Sequence, residues 1–360
     1  GSMQIYMPKT GFHGFIDFHG KTPSAATPDM WQDLIEGEAR DGFGFILKGN
    51  VNDAGYQSIT VPGSLKAYFE AQTEHGVMDW SDIVQPAIDH AERGGGADVF
   101  YTGEIAEIIA ADMQANEGLL SADDLKNYQT TRCDPLWGRF RGFDIASNQP
   151  PGGGIMLIEM LQILENFDLK ALGHNSTEYI RIVAEAMKRA TRDKDMFVGD
   201  PAFFDVPIDR LTDIAYAREQ ADRIKAGDIA SVERLNDSFP ESKDTTHIAV
   251  ADAAGNLVSM THSLGMPSGI ITEGLGFMYN GCMAVFDPRP GRAGSIAPGK
   301  SRFSSVCPTI VFKDKDPKVV IGAPGGTQIA MGVLQATLNV LEFDMPIRDA
   351  IVAPRFSATS

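Results

Sequence analysis

Hydrophobic and polar residues alternate with a period of two near both ends of the chain, a pattern that predicts β-hairpins. Near the front, apolar positions alternate on both sides of a Pro-Lys-Thr-Gly turn in MQIYMPKTGFHGFIDF. Further along, THIAVADAAGNLVSMTHS alternates around a short Gly-Asn turn, and PTIVFKDKDPKVVIG alternates around a charged tip. We therefore expect antiparallel strands from both ends of the chain.

Helical spacing of apolar residues dominates between these hairpins. The stretch from TPDMWQDLI to NYQT is predicted to be mostly helical, with helices over VPGSLKAYFEAQTEHG, SDIVQPAIDHAERGGG and SADDLKNYQ. A strand in RFRGFDIAS and a Pro/Gly turn precede two further helices, IMLIEMLQILENF and STEYIRIVAEAMKRATRDKD. Residues 226–244 are polar and charged and are expected to form an exposed connection. This mixture predicts an α/β or α+β domain with sheets inside and helices outside.

Composition and charge exclude classes of function more than they restrict the fold class. The chain has 360 residues, 43% of them apolar, and can bury the core of one large domain or two ordinary ones. Its net charge of -17 argues against nucleic acid or an anionic membrane surface as a partner. Its apolar runs are also shorter than the roughly 18 residues that span a bilayer. The leading Gly-Ser-Met is typical of a cloning remnant, so the lack of a targeting segment says little.

The cysteines and histidines show no metal-binding pattern. Cys133, Cys282 and Cys307 form no CxxC pair, and the seven histidines include no HExxH motif. We therefore expect free thiols, no metal site and no cofactor. Free thiols favour a cytoplasmic over a periplasmic location, although the compartment itself stays open.

The first candidate for chemistry is Thr245, in KDTTHIAVAD after the exposed connection. A threonine hydroxyl is a weak nucleophile unless a base lies beside it, and its own α-amino group can be that base. The amine exists only if the Asp244–Thr245 bond is cut. Its reference pKa of about 7.7–8.0 leaves a useful neutral fraction near pH 7. The alternative is that two threonines simply suit the start of a strand.

Other candidates are weaker when taken singly. The stretch GAPGG, residues 322–326, places backbone N–H groups at a helix start, where an oxyanion can bind, although such glycines more often serve a tight turn. Ser304 and Ser305 could donate to a carboxylate or only complete a strand end. NQPPGGG could line a substrate entrance or form a plain turn. His19, His247 and His262 are expected to be structural.

The order of these motifs resembles the γ-glutamyltranspeptidase family over nearly the whole chain. DTTHIAVADAAGNLVSMTHS, FMYNGCMAVF, PGKSRFSSVCPTIVF, VVIGAPGGTQIAMGVLQATLNVLEF and APRF resemble its small subunit. Upstream, FIDFHGKTPSAATPDMW, VPGSL, LLSADDLKNYQ, NQPPGGGIMLIEML, AEAMKRATRD and GDPAFFDVP resemble its large subunit in the same order.

The resemblance implies an N-terminal-nucleophile hydrolase fold, a four-layer αββα sandwich made as one self-cleaving precursor. Residues 1–244 would form a large-subunit-like segment and residues 245–360 a small-subunit-like segment, intertwined in one domain as a heterodimer after cleavage. A further dimer of these stays open. By the same resemblance, Thr245 is the cleavage residue and nucleophile, and Ser263 hydrogen-bonds its amine or hydroxyl. The implied oxyanion hole is Gly325 with Gly326, and the implied holders of the acyl-side carboxylate are Ser304 and Ser305.

Four positions depart from the family's substrate-binding pattern. The family's arginine for the substrate α-carboxylate is replaced by His19, which is not a conservative change. The family's asparagine after the hairpin is Gly265. Its glutamine and aspartate, which hold the α-ammonium, fall on Cys282 and Val285. A pocket without these acceptors binds a buried ammonium badly. We expect an amide whose acyl part has a carboxylate but no α-amine, such as a glutaryl or oxamyl group, and hydrolysis rather than transfer.

Two alternatives remain open at this point. The chain could be a true γ-glutamyltransferase whose amino-group contacts come from elsewhere. It could also be an unprocessed, inactive family member that acts as a binding protein. The second alternative is motivated by the four altered substrate-binding positions and by the start of the match, because the family's leading segment, with an early helix and strand, has no counterpart in this sequence.

Overall fold

The computed structural model describes residues 1–39, 42, 44–84, 97–235 and 244–359. Most of the helix expected over SDIVQPAIDHAERGGG, and much of the connection expected over residues 226–244, lie outside these residues. The strands in chain order are β1 (Ser2–Met7), β2 (Phe12–Asp17), β3 (Ile35–Glu38), β4 (Phe45–Leu47), β5 (Thr131–Cys133), β6 (Leu136–Phe140), β7 (Phe143–Ser147), β8 (Asp244–Ala251), β9 (Leu257–Gly265), β10 (Thr309–Lys313) and β11 (Asp316–Ile321).

Two antiparallel sheets form the centre of the molecule. One has the strand order β5-β2-β1-β9-β8, and the other has the order β11-β10-β7-β6. The hairpins β1-β2, β8-β9 and β10-β11 are those that the alternating patterns predict. Each sheet contains strands from both sides of residue 245. A small separate sheet pairs β3 with β4.

Helices cover the outer faces of both sheets. The helices are α1 (Ser64–His75), α2 (Trp80–Val84), α3 (Asp98–Tyr101), α4 (Glu104–Ala115), α5 (Ala122–Asn127), α6 (Gly154–Leu164), α7 (Leu169–Leu172), α8 (Thr177–Phe197), α9 (Ile208–Leu211), α10 (Ile214–Lys225), α11 (Gln328–Leu341) and α12 (Ile347–Val352). α1 packs on the five-stranded sheet, and α6 packs on the four-stranded sheet beneath α8, α10 and α11. The layers therefore run helix, sheet, sheet, helix, which is the expected α+β sandwich.

Period-two alternation decides which side chains face the space between the sheets. In β1, Met3 and Ile5 pack towards α1, whereas the ring of Tyr6 meets Phe312 of the other sheet at a centroid distance of 5.2 Å. In β9, Leu257 packs in the same hydrophobic cluster between the sheets as Phe312. The Ser259 hydroxyl donates to the Ile321 carbonyl of β11 at 3.2 Å. Odd-numbered residues of β9 therefore face the second sheet.

Sequence-based prediction was wrong over residues 27–63, which were expected to be mostly helical. The structure has there the β3-β4 hairpin and short 3-10 turns, Gln32–Leu34, Lys48–Asn50 and Tyr56–Ser58. Gly49 and Gly55 adopt positive φ angles of 74° and 91° in this stretch, a conformation that helices do not use. The helices predicted over VPGSLKAYFEAQTEHG, SADDLKNYQ, IMLIEMLQILENF and STEYIRIVAEAMKRATRDKD are present. Ser121 forms a capping box with Asp124 at the start of α5.

Candidate active site

Thr245 and Ser263 lie opposite each other on neighbouring strands. β8 begins at Asp244, and its second residue, Thr245, pairs with Ser263 of β9. The Thr245 hydroxyl donates to the Ser263 hydroxyl oxygen at 2.8 Å, and that oxygen also accepts from the Gly265 backbone N–H at 2.9 Å. The pairing register shifts between Asp244 and Thr245. The hydroxyl of Thr245, the candidate nucleophile, therefore has a hydrogen-bond partner on the neighbouring strand, next to a local irregularity in the β8-β9 pairing.

The Thr245 side chain lies on the face of β8 that looks towards the second sheet. His247 lies two residues further along β8 and therefore on the same face as Thr245. Its imidazole points to the second sheet, because a Cβ placed on Gly322 at the end of β11 would stand 2.3 Å from its Cε1. The His247 Nδ1 is also 2.9 Å from the hydroxyl of Thr261 on β9. Burial lowers the pKa of His247 to about 4, so this histidine is neutral at pH 7. The close approach of Gly322 brings the end of β11 against the strand that carries Thr245.

Gly325 and Gly326 form the turn between β11 and α11. Their φ angles are 131° and 57°, both in the region that favours glycine. Their carbonyls accept from the N–H groups of Gln328 and Ile329 in the first turn of α11. Within the described residues, the N–H groups of Gly325 and Gly326 themselves donate no hydrogen bond. Two such N–H groups at a helix start can accept a negatively charged oxygen.

Ser304 and Ser305 lie beside this turn, and each hydroxyl has a backbone contact. The Ser305 hydroxyl donates to the Gly326 carbonyl, so it fixes the glycine turn rather than facing open space. The Ser304 hydroxyl oxygen is 3.4 Å from the Val306 backbone N–H. The Ser304 N–H donates to the Pro151 carbonyl at 2.9 Å. The Pro-Pro-Gly loop therefore helps to hold Ser304 and Ser305 in place.

Sequence reasoning did not identify three polar residues around the serine segment. The Asn148 amide donates to the Val306 carbonyl at 3.0 Å, and its oxygen accepts from the Gly154 N–H at 3.0 Å. Thr327 has a buried hydroxyl without a partner among the described residues. Arg302 is 4% exposed and lies two residues before Ser304. Only Asn148, at the end of a strand before a Pro/Gly turn, had a local signal that could have indicated it.

His19 pairs with Asp17 in the described part of the chain. Its side chain is buried, and its Nδ1 lies 2.8 Å from each carboxylate oxygen of Asp17. Burial lowers the pKa of His19 to about 4, although the charge of Asp17 acts in the opposite direction. A neutral His19 donates from Nδ1, which leaves the buried Nε2 as an acceptor without a partner among the described residues. His19 therefore has no positive charge at pH 7 with which to hold a carboxylate.

The Cys282 side chain packs closely against Gly265. Gly265 has a φ of 72°, and a Cβ placed there would stand 2.7 Å from the Cys282 sulfur. The Cys282 thiol donates to the Leu264 carbonyl at 3.1 Å, so this buried thiol is already engaged. Val285 closes the same short 3-10 turn, Cys282–Val285. An amide side chain at position 265 therefore does not fit without a shift of Cys282.

Two cavities meet at these residues. A smaller one of about 210 Å³ is lined by Ser263 and Cys282, together with many apolar residues that include Phe18, Leu65, Phe100, Tyr101, Phe277 and Tyr279. A larger one of about 740 Å³ is lined by Val285, Ser304, Ser305 and Thr327 among others. Arg302 lines both cavities. The described lining of the smaller cavity contains no aspartate or glutamate.

The described residues offer neither a metal-binding cluster nor a membrane-spanning helix. Across the part of the chain that the structure describes, no group of three His, Cys, Asp or Glu side chains could hold a metal ion. Among the same residues, no helix combines the length and the apolar character that crossing a membrane requires.

Comparison with known proteins gives consistent matches. The family model for γ-glutamyltranspeptidase matches residues 1–96 and 94–360. The chain is 34% identical to the Acylase ACY 1 proenzyme of Pseudomonas sp. (strain V22), over 96% of this chain and 72% of the relative. It is 39% identical to the glutathione hydrolase proenzyme of Escherichia coli (strain K12), over 99% of this chain and 72% of the relative. The solved cephalosporin acylase of Bacillus halodurans matches with a TM-score of 0.72 and 21% identity, over 98% of this chain and 74% of that one, which shows a shared fold.

Proposed function

The chain belongs to the γ-glutamyltranspeptidase family of hydrolases, and from that premise we propose that it cuts its own Asp244–Thr245 bond and then hydrolyses an amide through a Thr245 acyl-enzyme. The observation that carries this proposal is the 2.8 Å hydrogen bond between the Thr245 and Ser263 hydroxyls. It orients the candidate nucleophile on the inner face of β8, next to the strand end that leads into Gly325 and Gly326.

Self-cleavage needs only groups of the chain and water. The Thr245 oxygen attacks the carbonyl carbon of Asp244, and the peptide C–N bond breaks as the nitrogen takes up a proton. The acyl group then stands on the Thr245 oxygen as an ester. Water hydrolyses that ester, which releases the Asp244 carboxylate and leaves Thr245 with a free hydroxyl and a free α-amine. The relatives named above are called proenzymes, which supports this step.

Amide hydrolysis repeats the same chemistry with the new amine as the base. The amine takes the hydroxyl proton as the Thr245 oxygen attacks the substrate carbonyl, and that proton goes to the departing amine. The N–H groups of Gly325 and Gly326, which have no other acceptor among the described residues, stabilise the oxyanion. Water then attacks the ester, the acid leaves, and the Thr245 hydroxyl is restored.

The acyl group of the substrate is proposed to carry a carboxylate and no α-ammonium. An ammonium ion needs acceptors, and the described lining of the smaller cavity offers no carboxylate for it. At the positions expected to hold it, Gly265 lacks a side chain, Cys282 is engaged with Leu264, and Val285 is apolar. Dicarboxylic monoamides such as glutaryl or oxamyl amides meet these conditions. Relatives named acylases support the hydrolysis of an acyl amide, whatever its acyl group.

The first test is the intact mass of the purified protein, with Thr245→Ala as the uncut control. Two pieces that end at Asp244 and begin at Thr245 support the proposal, and a single folded uncut chain contradicts it in favour of a binding protein. Hydrolysis of glutaryl anilide and of glutathione by the cut protein then separates the two enzyme hypotheses. Faster cleavage of the glutaryl amide is expected, and a clear preference for glutathione would identify a γ-glutamyl enzyme instead.

A further inference from the structure

We propose that Arg302 binds the acyl-side carboxylate of the substrate and thereby selects short dicarboxylic monoamides with an apolar body. The resemblance implies an arginine for a substrate carboxylate at the position of His19, whereas Arg302 lies on a different segment, two residues before Ser304. This inference rests on the proposed function for the reaction but not for the binding of the acid.

Arg302 is a buried charge without a counter-ion among the described residues. Its side chain forms no salt bridge there, its Nε has no partner, and its Nη1 makes one long contact of 3.4 Å to the Phe303 carbonyl. A guanidinium ion that is 4% exposed and unpaired is costly to bury. A ligand that brings a carboxylate offsets this cost, and a guanidinium group can bind it through two parallel hydrogen bonds.

The segment around Arg302 is held from both sides before any ligand arrives. The Ser301 N–H donates to an Asp200 carboxylate oxygen at 2.7 Å, and the buried Lys300 ammonium donates to the carbonyls of Ala293 and Ser295 at 2.7 and 2.8 Å. On the other side, Ser304 is bonded to the Pro-Pro-Gly loop. Fixing the segment in advance reduces the entropy that binding would otherwise cost.

The guanidinium lies at a useful distance from the nucleophile. Its Nη2 is 3.6 Å from the position that a Gly265 Cβ would occupy, so the charge lies beside the end of β9. Gly265 follows Ser263 by two residues on β9, which corresponds to about 7 Å along an extended strand. Ser263 in turn contacts the Thr245 hydroxyl. A short dicarboxylic acyl chain can span this distance, with its carbonyl at Thr245 and its carboxylate at Arg302.

Within the smaller cavity, the surroundings favour an anion with an apolar body. Arg302 is the one side chain in the described lining of the smaller cavity that is charged at neutral pH. Much of the remaining lining is aromatic or aliphatic. Methylene groups between the two carbonyl carbons would therefore pack against apolar surface.

The test measures binding separately from hydrolysis, on the protein as purified. Glutarate and its uncharged diamide are titrated by calorimetry into the parent protein, Arg302→Met and Arg302→Lys. We expect glutarate to bind the parent about 10- to 100-fold more tightly than the diamide, and this preference to vanish in Arg302→Met. Arg302→Lys should retain part of it. Urea unfolding checks that Arg302→Met is folded, which is expected because the variant removes an unpaired buried charge.

Hydrolysis of glutaryl anilide and of its methyl ester forms the second arm. A parent that cleaves the acid but not the ester, with Arg302→Met losing that selectivity, supports the inference. If the parent hydrolyses neither compound, the proposed function fails, yet the glutarate titration still tests Arg302. Equal affinity for glutarate and the diamide, or an unchanged preference in folded Arg302→Met, would overturn the role of Arg302.

Discussion

Replacing Ser263 with alanine tests the hydroxyl pair at the centre of the site. The change removes the acceptor of two hydrogen bonds, the one from the Thr245 hydroxyl at 2.8 Å and the one from the Gly265 N–H at 2.9 Å. Thr245 is half-buried and can turn its hydroxyl to water, whereas Gly265 is buried. We expect a loss of about 1–3 kcal/mol in the free energy of unfolding, mainly from the Gly265 N–H left without a partner.

The same change should slow chemistry because it frees the orientation of Thr245. One neutral hydrogen bond is worth about 1–2 kcal/mol here, which corresponds to about 5- to 30-fold in rate. Self-cleavage is followed by the appearance of two bands on a denaturing gel. Hydrolysis is followed by the initial rate of anilide release, normalised to the amount of cut protein so that the two effects stay separate.

Ser263→Thr is the matched control, since it keeps the hydroxyl and adds one methyl group. It should cut and hydrolyse within about threefold of the parent if the hydroxyl is what matters. A folded Ser263→Ala protein with parental rates would refute the reasoning. So would a Ser263→Thr protein as slow as Ser263→Ala, because the retained hydroxyl would then have no effect.

Three further predictions concern the glycine turn, the sheet contact and a buried histidine. Gly325→Ala forces a side chain into a φ of 131° and should lower kcat at least about 100-fold in the cut protein, and a parental kcat would remove the oxyanion role. Gly322→Ala should cost about 1–3 kcal/mol in urea unfolding because its Cβ would stand 2.3 Å from the His247 ring. Gly332→Ala in α11, where a Cβ meets nothing within 4 Å, should instead stabilise by up to about 1 kcal/mol, and equal effects of the two would contradict the sheet contact. Burial lowers the pKa of His19 from 6.5 to about 4, so the unfolded chain binds the proton first and stability falls by up to about 3 kcal/mol as the pH drops through that interval. His19→Gln should lack that part of the loss between pH 7.5 and pH 5, and an unchanged pH profile would show that His19 is not its source.

Features set by neighbouring residues could be predicted from the sequence. Hairpins follow from alternation and turn residues, and the β8-β9 hairpin with its short turn already implies that Thr245 and Ser263 lie near each other. Helix starts follow from caps such as Ser176, whose hydroxyl oxygen accepts from the Tyr179 N–H at 3.2 Å. The mostly helical pattern expected over residues 27–63 was wrong because apolar spacing alone did not weigh the glycines that favour turns there.

Features set by distant contacts could not be predicted in the same way. Nothing near Ser305 in the sequence indicates that its hydroxyl meets the Gly326 carbonyl, 21 residues later. Arg302 is buried beside Gly265 at the end of β9, which is distant from it in the sequence. The clash between a side chain at position 265 and Cys282 likewise appears only once the chain is folded. The substrate roles assigned to these residues remain predictions until the variants are measured.

Each sheet contains strands from both sides of residue 245, and this arrangement affects how the protein refolds. In the intact chain, β8 and β9 find β1 as parts of one molecule, at the high effective concentration that a covalent link provides. Once the Asp244–Thr245 bond is cut, the denatured pieces must meet by diffusion, and each piece alone lacks strands of both sheets. The precursor should therefore recover from urea at any dilution. The cut form should recover only at high protein concentration, so its persistence would depend on how slowly it unfolds.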